Sequence, residues 1–322
     1  FRMEWDRVDV SGADGVLVGA RVESEELSVP IGDITLSGVS EDDVGFRIER
    51  VYLSHFGGSD DEEEASFIVE NLEMGNVLLP NDDVRYNYGG SLFPETASVG
   101  SMILNLGGTE VFSMRDMHFE ATEPDADTPM DFSGAAESFT LDLSLMEDEQ
   151  QLAILKALGY DTIEGFFEIA GVWDPSDGRY ALTQYDMTIV DAGTIGLTFD
   201  SAGYTPAVIA SLYDLLKKMA ENPESDNSAQ GLAMLGLMQQ VTFKDAALSF
   251  TDDSLTNRIL EFVARNQGAK PAEIANQAKA VVPFALAQLN NPELTAQAAK
   301  AVSAFLDDPQ SLTIAARPAE PV

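Results

Sequence analysis

The side chains able to do chemistry in this chain are few in kind and scattered in position. It has two histidines, His55 and His118, and no cysteine. A two-histidine metal site needs both rings close together with a third, carboxylate ligand. Each histidine falls in a predicted strand beside charged or turn residues, and nothing in the spacing joins them. The acidic run GSDDEEE at 58–64 lacks the alternating oxygen ligands and central glycine of a calcium loop, and reads as a solvated charged loop. Missing thiols exclude disulfides, thiolate metal sites and cysteine nucleophiles. There is no GxSxG elbow, Walker loop or dinucleotide fingerprint. Gly89-Gly90 and Gly107-Gly108 read as hairpin glycines. Carboxylates are so abundant that no single pair marks glycosidase chemistry. No catalytic residue, metal ligand or cofactor is expected. A hydrolase assembled from scattered carboxylates would need a deep polar cleft with strongly perturbed acids.

The chemistry left is binding through apolar surface, and one stretch carries its pattern. Gly165 to Asp200 reads as three antiparallel strands joined by turns at DPSDG (174–178) and DAG (191–193). Phe167, Ile169, Gly171 and Trp173 alternate, and Ile195, Leu197 and Phe199 do so against Thr194, Thr198 and Asp200. Period two with one apolar face predicts half-buried strands. Pro175 presets φ, while Gly178 and Gly193 tolerate positive φ. Phe167, Ile169, Trp173, Ile195, Leu197 and Phe199 are therefore candidates to line an apolar groove, or else form ordinary core. An open groove would have a cavity of several hundred Å³.

These strands sit inside a chain of 322 residues with 55 acidic and 18 basic side chains, a net charge of −37. Such a charge disfavours nucleic acid and anionic membrane surfaces, because both bind through Lys and Arg. It suits a surface adapted to marine or higher salt, or one that meets a divalent cation or basic partner. Hydrophobic residues at 45% predict a packed core. No apolar run approaches the roughly 20 residues needed to span a bilayer, and no signal peptide is visible. A leader or anchor is expected to lie outside this chain, which starts at Phe1.

Before the central stretch the pattern is a meander. Val16, Val18, Ala20 and Val22 alternate, as do 34–39 and 44–56. FIVENLEMGNVLL fits a strand or a short helix. A hairpin is predicted about Gly107-Gly108, then a polar loop at 121–129. A strand follows with Phe139, Leu141, Leu143 and Leu145 on one face, then a helix over 147–159 closed by Gly159. After residue 204 helices dominate. They are expected at 205–223, in AQGLAMLGLMQQ after a Ser/Asn/Asp loop, at 254–268, and in two Ala-rich segments that open near prolines. Strands return at 241–252 and in SLTIAARP. Ile274, Val281, Val282, Phe284, Leu286 and Leu289 give the Ala-rich helices an apolar face that packs on the sheet or gates a groove. The predicted class is α+β, a long curved antiparallel sheet with a helical layer concentrated in the C-terminal third. Its division is 1–146, an N-terminal β meander, and 147–322, hairpins plus helices on the same sheet, with one continuous domain as the alternative.

Four phrases, ITLSGVSEDDVGFRIERVYLSHF at 34–56, the segment 158–200, FKDAALSFTDDSLTNRILEFVARNQG at 243–268 and AFLDDPQSLTIAARPAEPV at 304–322, together resemble the YdgA-like and AsmA-like bacterial envelope proteins. That resemblance implies a long curved sheet with an apolar concave face, lipid as cargo in some relatives, and a periplasmic or envelope location with a membrane anchor. The expectation is a non-enzymatic envelope protein binding a lipid or other apolar ligand. The alternative is a structural or interaction subunit of a larger periplasmic or surface assembly, binding a protein partner through an acidic face or a free sheet edge.

Overall fold

The computed structural model describes residues 2–23, 28–60, 64–125, 128–145, 148–221, 228–286 and 291–320. Parts of the charged 58–64 run, of the 121–129 loop and of the Ser/Asn/Asp loop, together with Leu289, lie outside them. Fourteen strands form one open antiparallel sheet. β1 (Arg2–Glu4) and β2 (Arg7–Ser11) both pair with β3 (Asp14–Glu23), as two halves of a broken edge strand. The order then follows the chain: β4 (Ser28–Glu41), β5 (Gly45–Asp60), β6 (Ala65–Pro80), β7 (Phe93–Leu106), β8 (Thr109–Ala121) and β9 (Met130–Asp142). It continues with β10 (Thr162–Asp174), β11 (Arg179–Ile189), β12 (Gly193–Ala202), β13 (Thr242–Asp252) and β14 (Ser311–Ala316), the second edge. The β9–β10 pairing carries the sheet across 146/147 without a break. The segment open to strand or helix is β6, and the charged run starts inside β5, which reaches Asp60.

The strands are long, and they change phase. In β5 the inward residues Ile48, Val51, Leu53 and Phe56 are spaced three, two and three apart, although pairing with β6 keeps one register. Each three-residue step falls opposite a left-handed residue of β6. Asn76 lies between the pairs Ile48–Val77 and Arg50–Gly75, and Asn71 between Leu53–Leu72 and His55–Glu70. Asn71 faces Gly100 of β7, which faces left-handed Asp116 of β8. Such residues rotate the strand and shift which side chains face inward, the local device by which long strands bend. The same effect corrects the pattern read at Val16–Val22. Gly19, at φ +66°, shifts the β3–β4 register, so Leu17 and Ala20 reach the core with Ile34 and the valines do not form one face.

Helices close the two ends of the sheet. At one end Leu78, Phe93 and Ala121 form a core with Tyr88, Phe119, Met130 and Phe132. A 3-10 turn at Arg85–Tyr88 lies over it, and Tyr86 packs on Tyr213 of α2 (Pro206–Glu221) with ring centres 5.7 Å apart. At the other end Leu143, Tyr160 and Ala192 pack with Leu152 and Leu155 of α1 (Glu149–Leu158) and Leu255 of α4 (Leu255–Gln267). Gly159 ends α1, as the sequence predicts, while Asp148 lies just before its first turn and caps it. The strand expected through Leu145 stops earlier. Asp142 accepts from the Ser144 N–H at 2.7 Å, turning 143–145 into a 3-10 helix that sends Leu143 into this core instead of the row of Phe139 and Leu141.

α3 (Ser228–Met238) follows α2. α5 (Pro271–Leu286) packs on α4 through Ile274 and Ala275, while Phe305 of α6 (Pro292–Asp307) meets Phe250 of β13. The helices pack only in part. Val281 and Phe284 of α5 are exposed, Phe284 at 80%.

Candidate functional site

Directly paired residues in antiparallel strands share a face, and the register places all six candidate residues together. Phe167 of β10 lies opposite Met187 of β11, which lies opposite Ile195 of β12. Ile169 faces Tyr185, and Gly171 leads through Leu182 to Phe199. Trp173 shares its row with Met130, Tyr180 and Ser201. The rows run on to the edge strand: Ile195 to Phe250 and Leu312, Leu197 to Leu248 and Ile314.

Burial divides this face into a closed end and an open band. Trp173 is 4% exposed, and Phe167, Ile169 and Phe199 are half-buried. Ile195 and Leu197 are 46% and 38% exposed, rising to 50% at Leu248 and 70% at Ile314. Ordinary core describes Trp173 best and Ile195 least.

Trp173 and Phe199 meet in a pocket of about 380 Å³ with Met130, Tyr180, Tyr204, Ile209 of α2 and Gly89. The turn 174–178 joins Trp173 to Tyr180 and holds the Tyr204 segment beside them. The Asp174 carboxylate accepts from Ser176 N–H at 2.9 Å and Oγ–H at 2.6 Å, which holds its pKa below the ordinary range. Gly178, at φ +69°, closes the turn, and its carbonyl accepts from the Tyr204 N–H. Trp173 Nε1–H then donates to the Tyr204 carbonyl at 2.9 Å, tying the strand to the segment that leads into α2. Tyr180 stacks on Phe132 at 6.0 Å and meets Tyr204 edge-on at 6.5 Å. Burial pushes the Tyr180 hydroxyl pKa up, so it stays neutral. Alternation after the turn could have singled out Tyr180. Gly89, Met130 and Ile209 come from distant segments that carry no local signal.

A second cleft, of about 670 Å³, lies toward the other edge among Val29, Pro30, Phe56, Phe67 and Leu104, with His55 and Asp60 at its side. His118 is on β8, separated from β5 by the two strands β6 and β7. Among the described residues no group of three metal-ligating side chains comes together. The polar face has a cleft of about 550 Å³ with Glu95, Glu120 and Asp131. The carboxyl groups shifted among the described residues, Asp42, Glu73, Asp142 and Asp174, are all pushed down by hydrogen bonds they accept. They are placed as acceptors, whereas a general acid needs a raised pKa.

A family model described as "Uncharacterized protein" matches residues 186–322. The match takes in Ile195, Leu197 and Phe199 with the open band and helices α2 to α6, and leaves out α1, Trp173 and the strands before it. No curated protein matches the chain. No helix among the described residues is long and apolar enough to cross a membrane.

Proposed function

We propose that this is a non-enzymatic protein of the bacterial envelope that holds a lipid or other apolar ligand along the apolar face of its sheet. One observation carries the proposal. Large apolar side chains stand exposed in register on β12, β13 and β14 and lead toward an aromatic pocket. Contiguous exposed apolar surface of this kind marks a binding site in a soluble protein. The envelope placement draws on the resemblance of 34–56 and 158–200 to the YdgA-like and AsmA-like proteins.

Native mass spectrometry of protein from its own source, followed by organic extraction, tests this. The expected result is a mass above that of the chain and an extractable amphiphile. Leu197→Glu, at an exposed position, should fold normally and lose that mass. A clean apo mass with nothing extracted would overturn the groove.

A second reading is that of an interaction subunit, and one feature favours it. β14, SLTIAA, is an uncharged edge with no proline and no register shift. Such edges recruit strands. Crosslinking from residue 313 should then capture a partner protein, and Ile314→Lys should abolish the capture.

A further inference from the structure

We propose that the Trp173 pocket is a subsite for a methylated ammonium group, the cationic end of an amphiphile whose chain lies along β12–β14. This rests on the groove reading above and names the chemistry of its aromatic end.

The hydrogen-bond inventory of the pocket narrows what can enter. Among the described residues its lining is Trp173, Tyr180, Phe199 and Tyr204 with Met130, Ile209 and Gly89, and these include no lysine, arginine or carboxylate. The indole N–H is already donated to the Tyr204 carbonyl. A carboxylate or phosphate would be desolvated there without the charged donors that offset the loss. A primary ammonium has three N–H groups to satisfy and would find no carboxylate in the lining. A quaternary ammonium carries charge with no N–H, so it needs no acceptor, and ring faces attract it through their quadrupoles.

Charge outside the pocket points the same way. Asp174 and Asp177 lie on the turn that hydrogen-bonds the Gly203–Tyr204 backbone, and with Asp200 they outnumber the one guanidinium beside them, Arg179. The chain as a whole carries −37 and raises the local concentration of cations. There is also room. A Cβ built on Gly89, which forms one wall, would meet nothing within 4 Å.

The test uses a Trp5→Phe background, which leaves Trp173 as the single tryptophan reporter. Choline is titrated against 3,3-dimethylbutan-1-ol, an alcohol of the same shape without the charge. Choline should change Trp173 emission saturably, and the alcohol should bind about tenfold more weakly. Tyr180→Leu should weaken choline by a similar factor with unchanged far-UV dichroism. Phe199→Leu serves if the first variant does not fold. Equal affinity for choline and the alcohol overturns the ammonium subsite and leaves the apolar groove standing. So does failure of both probes on protein that yields an extractable neutral or anionic lipid. Failure of both probes on protein that also yields no lipid overturns the two together.

Discussion

At the scale of single residues, Trp173 and Ser201 show how one row of side chains can hold both structure and site. Trp173 was legible from alternation alone, because three apolar partners precede it at period two. Its bond to the Tyr204 carbonyl joins positions 31 apart and leaves no trace in either segment. Ser201 is the opposite case. It is fully buried in the same row as Tyr180, and its hydroxyl has no hydrogen-bond partner among the described residues. Burying an unpaired hydroxyl costs about 1–3 kcal/mol. Ser201→Ala should therefore raise stability by about 1 kcal/mol, read as a higher urea midpoint with an unchanged slope. A lower midpoint would mean that the hydroxyl has a partner after all.

Titration gives a second test at this scale. The Arg50 guanidinium donates to Glu73 at 2.7 Å and holds its pKa below the ordinary value of 4.5. A depressed folded-state pKa contributes stability that is present above the unfolded value and lost as pH falls through the folded one. Glu73→Gln should thus be less stable than the parent at pH 7, and the gap should close below about pH 4.5. Thermal midpoints of both proteins from pH 7 to 3 check this. A constant gap would assign Glu73 a role other than its charge.

Elements were legible wherever the sequence repeats with one period, and illegible where the period slips. β10 and β12 match the pattern because no left-handed residue interrupts the candidates. β3 and β5 do not, because Gly19 in β3 and Asn76 and Asn71 opposite β5 turn the backbone between apolar positions. An asparagine inside a strand gives no notice that it is left-handed. The helices were legible from prolines and glycine caps, but their exposed faces at Val281 and Phe284 were not, since spacing cannot say what lies opposite.

The bend itself can be tested at Asn76, whose φ is +48° and whose Nδ2 donates to Glu95 at 2.6 Å. Asn76→Ala and Asn76→Gly both lose that bond, but only alanine meets the left-handed penalty of about 1–2 kcal/mol. Glycine should be the more stable of the two by that amount in urea unfolding. Equal stabilities would show that the strand straightens at no cost and that the phase change is not fixed here.

For the whole molecule, charge acts on the fold and on the proposed ligand with opposite consequences. With 18 basic side chains against 55 acidic ones, most carboxylates have no base of their own to neutralise them. At −37 they repel one another across the surface. Raising ionic strength from about 0.1 M to about 1 M shortens the screening length from about 10 Å to about 3 Å. The thermal midpoint should rise over that range, because repulsion within the folded state is removed. Binding of a methylated ammonium group should weaken over the same range, because the field that gathers it is screened as well. A purely apolar ligand would show no such loss, since salt leaves its burial intact or strengthens it. Measured side by side, a rising midpoint with falling choline affinity assigns the acidity to both stability in salt and ligand capture. A rising midpoint with unchanged affinity assigns it to salt alone and removes the electrostatic support for the cationic subsite.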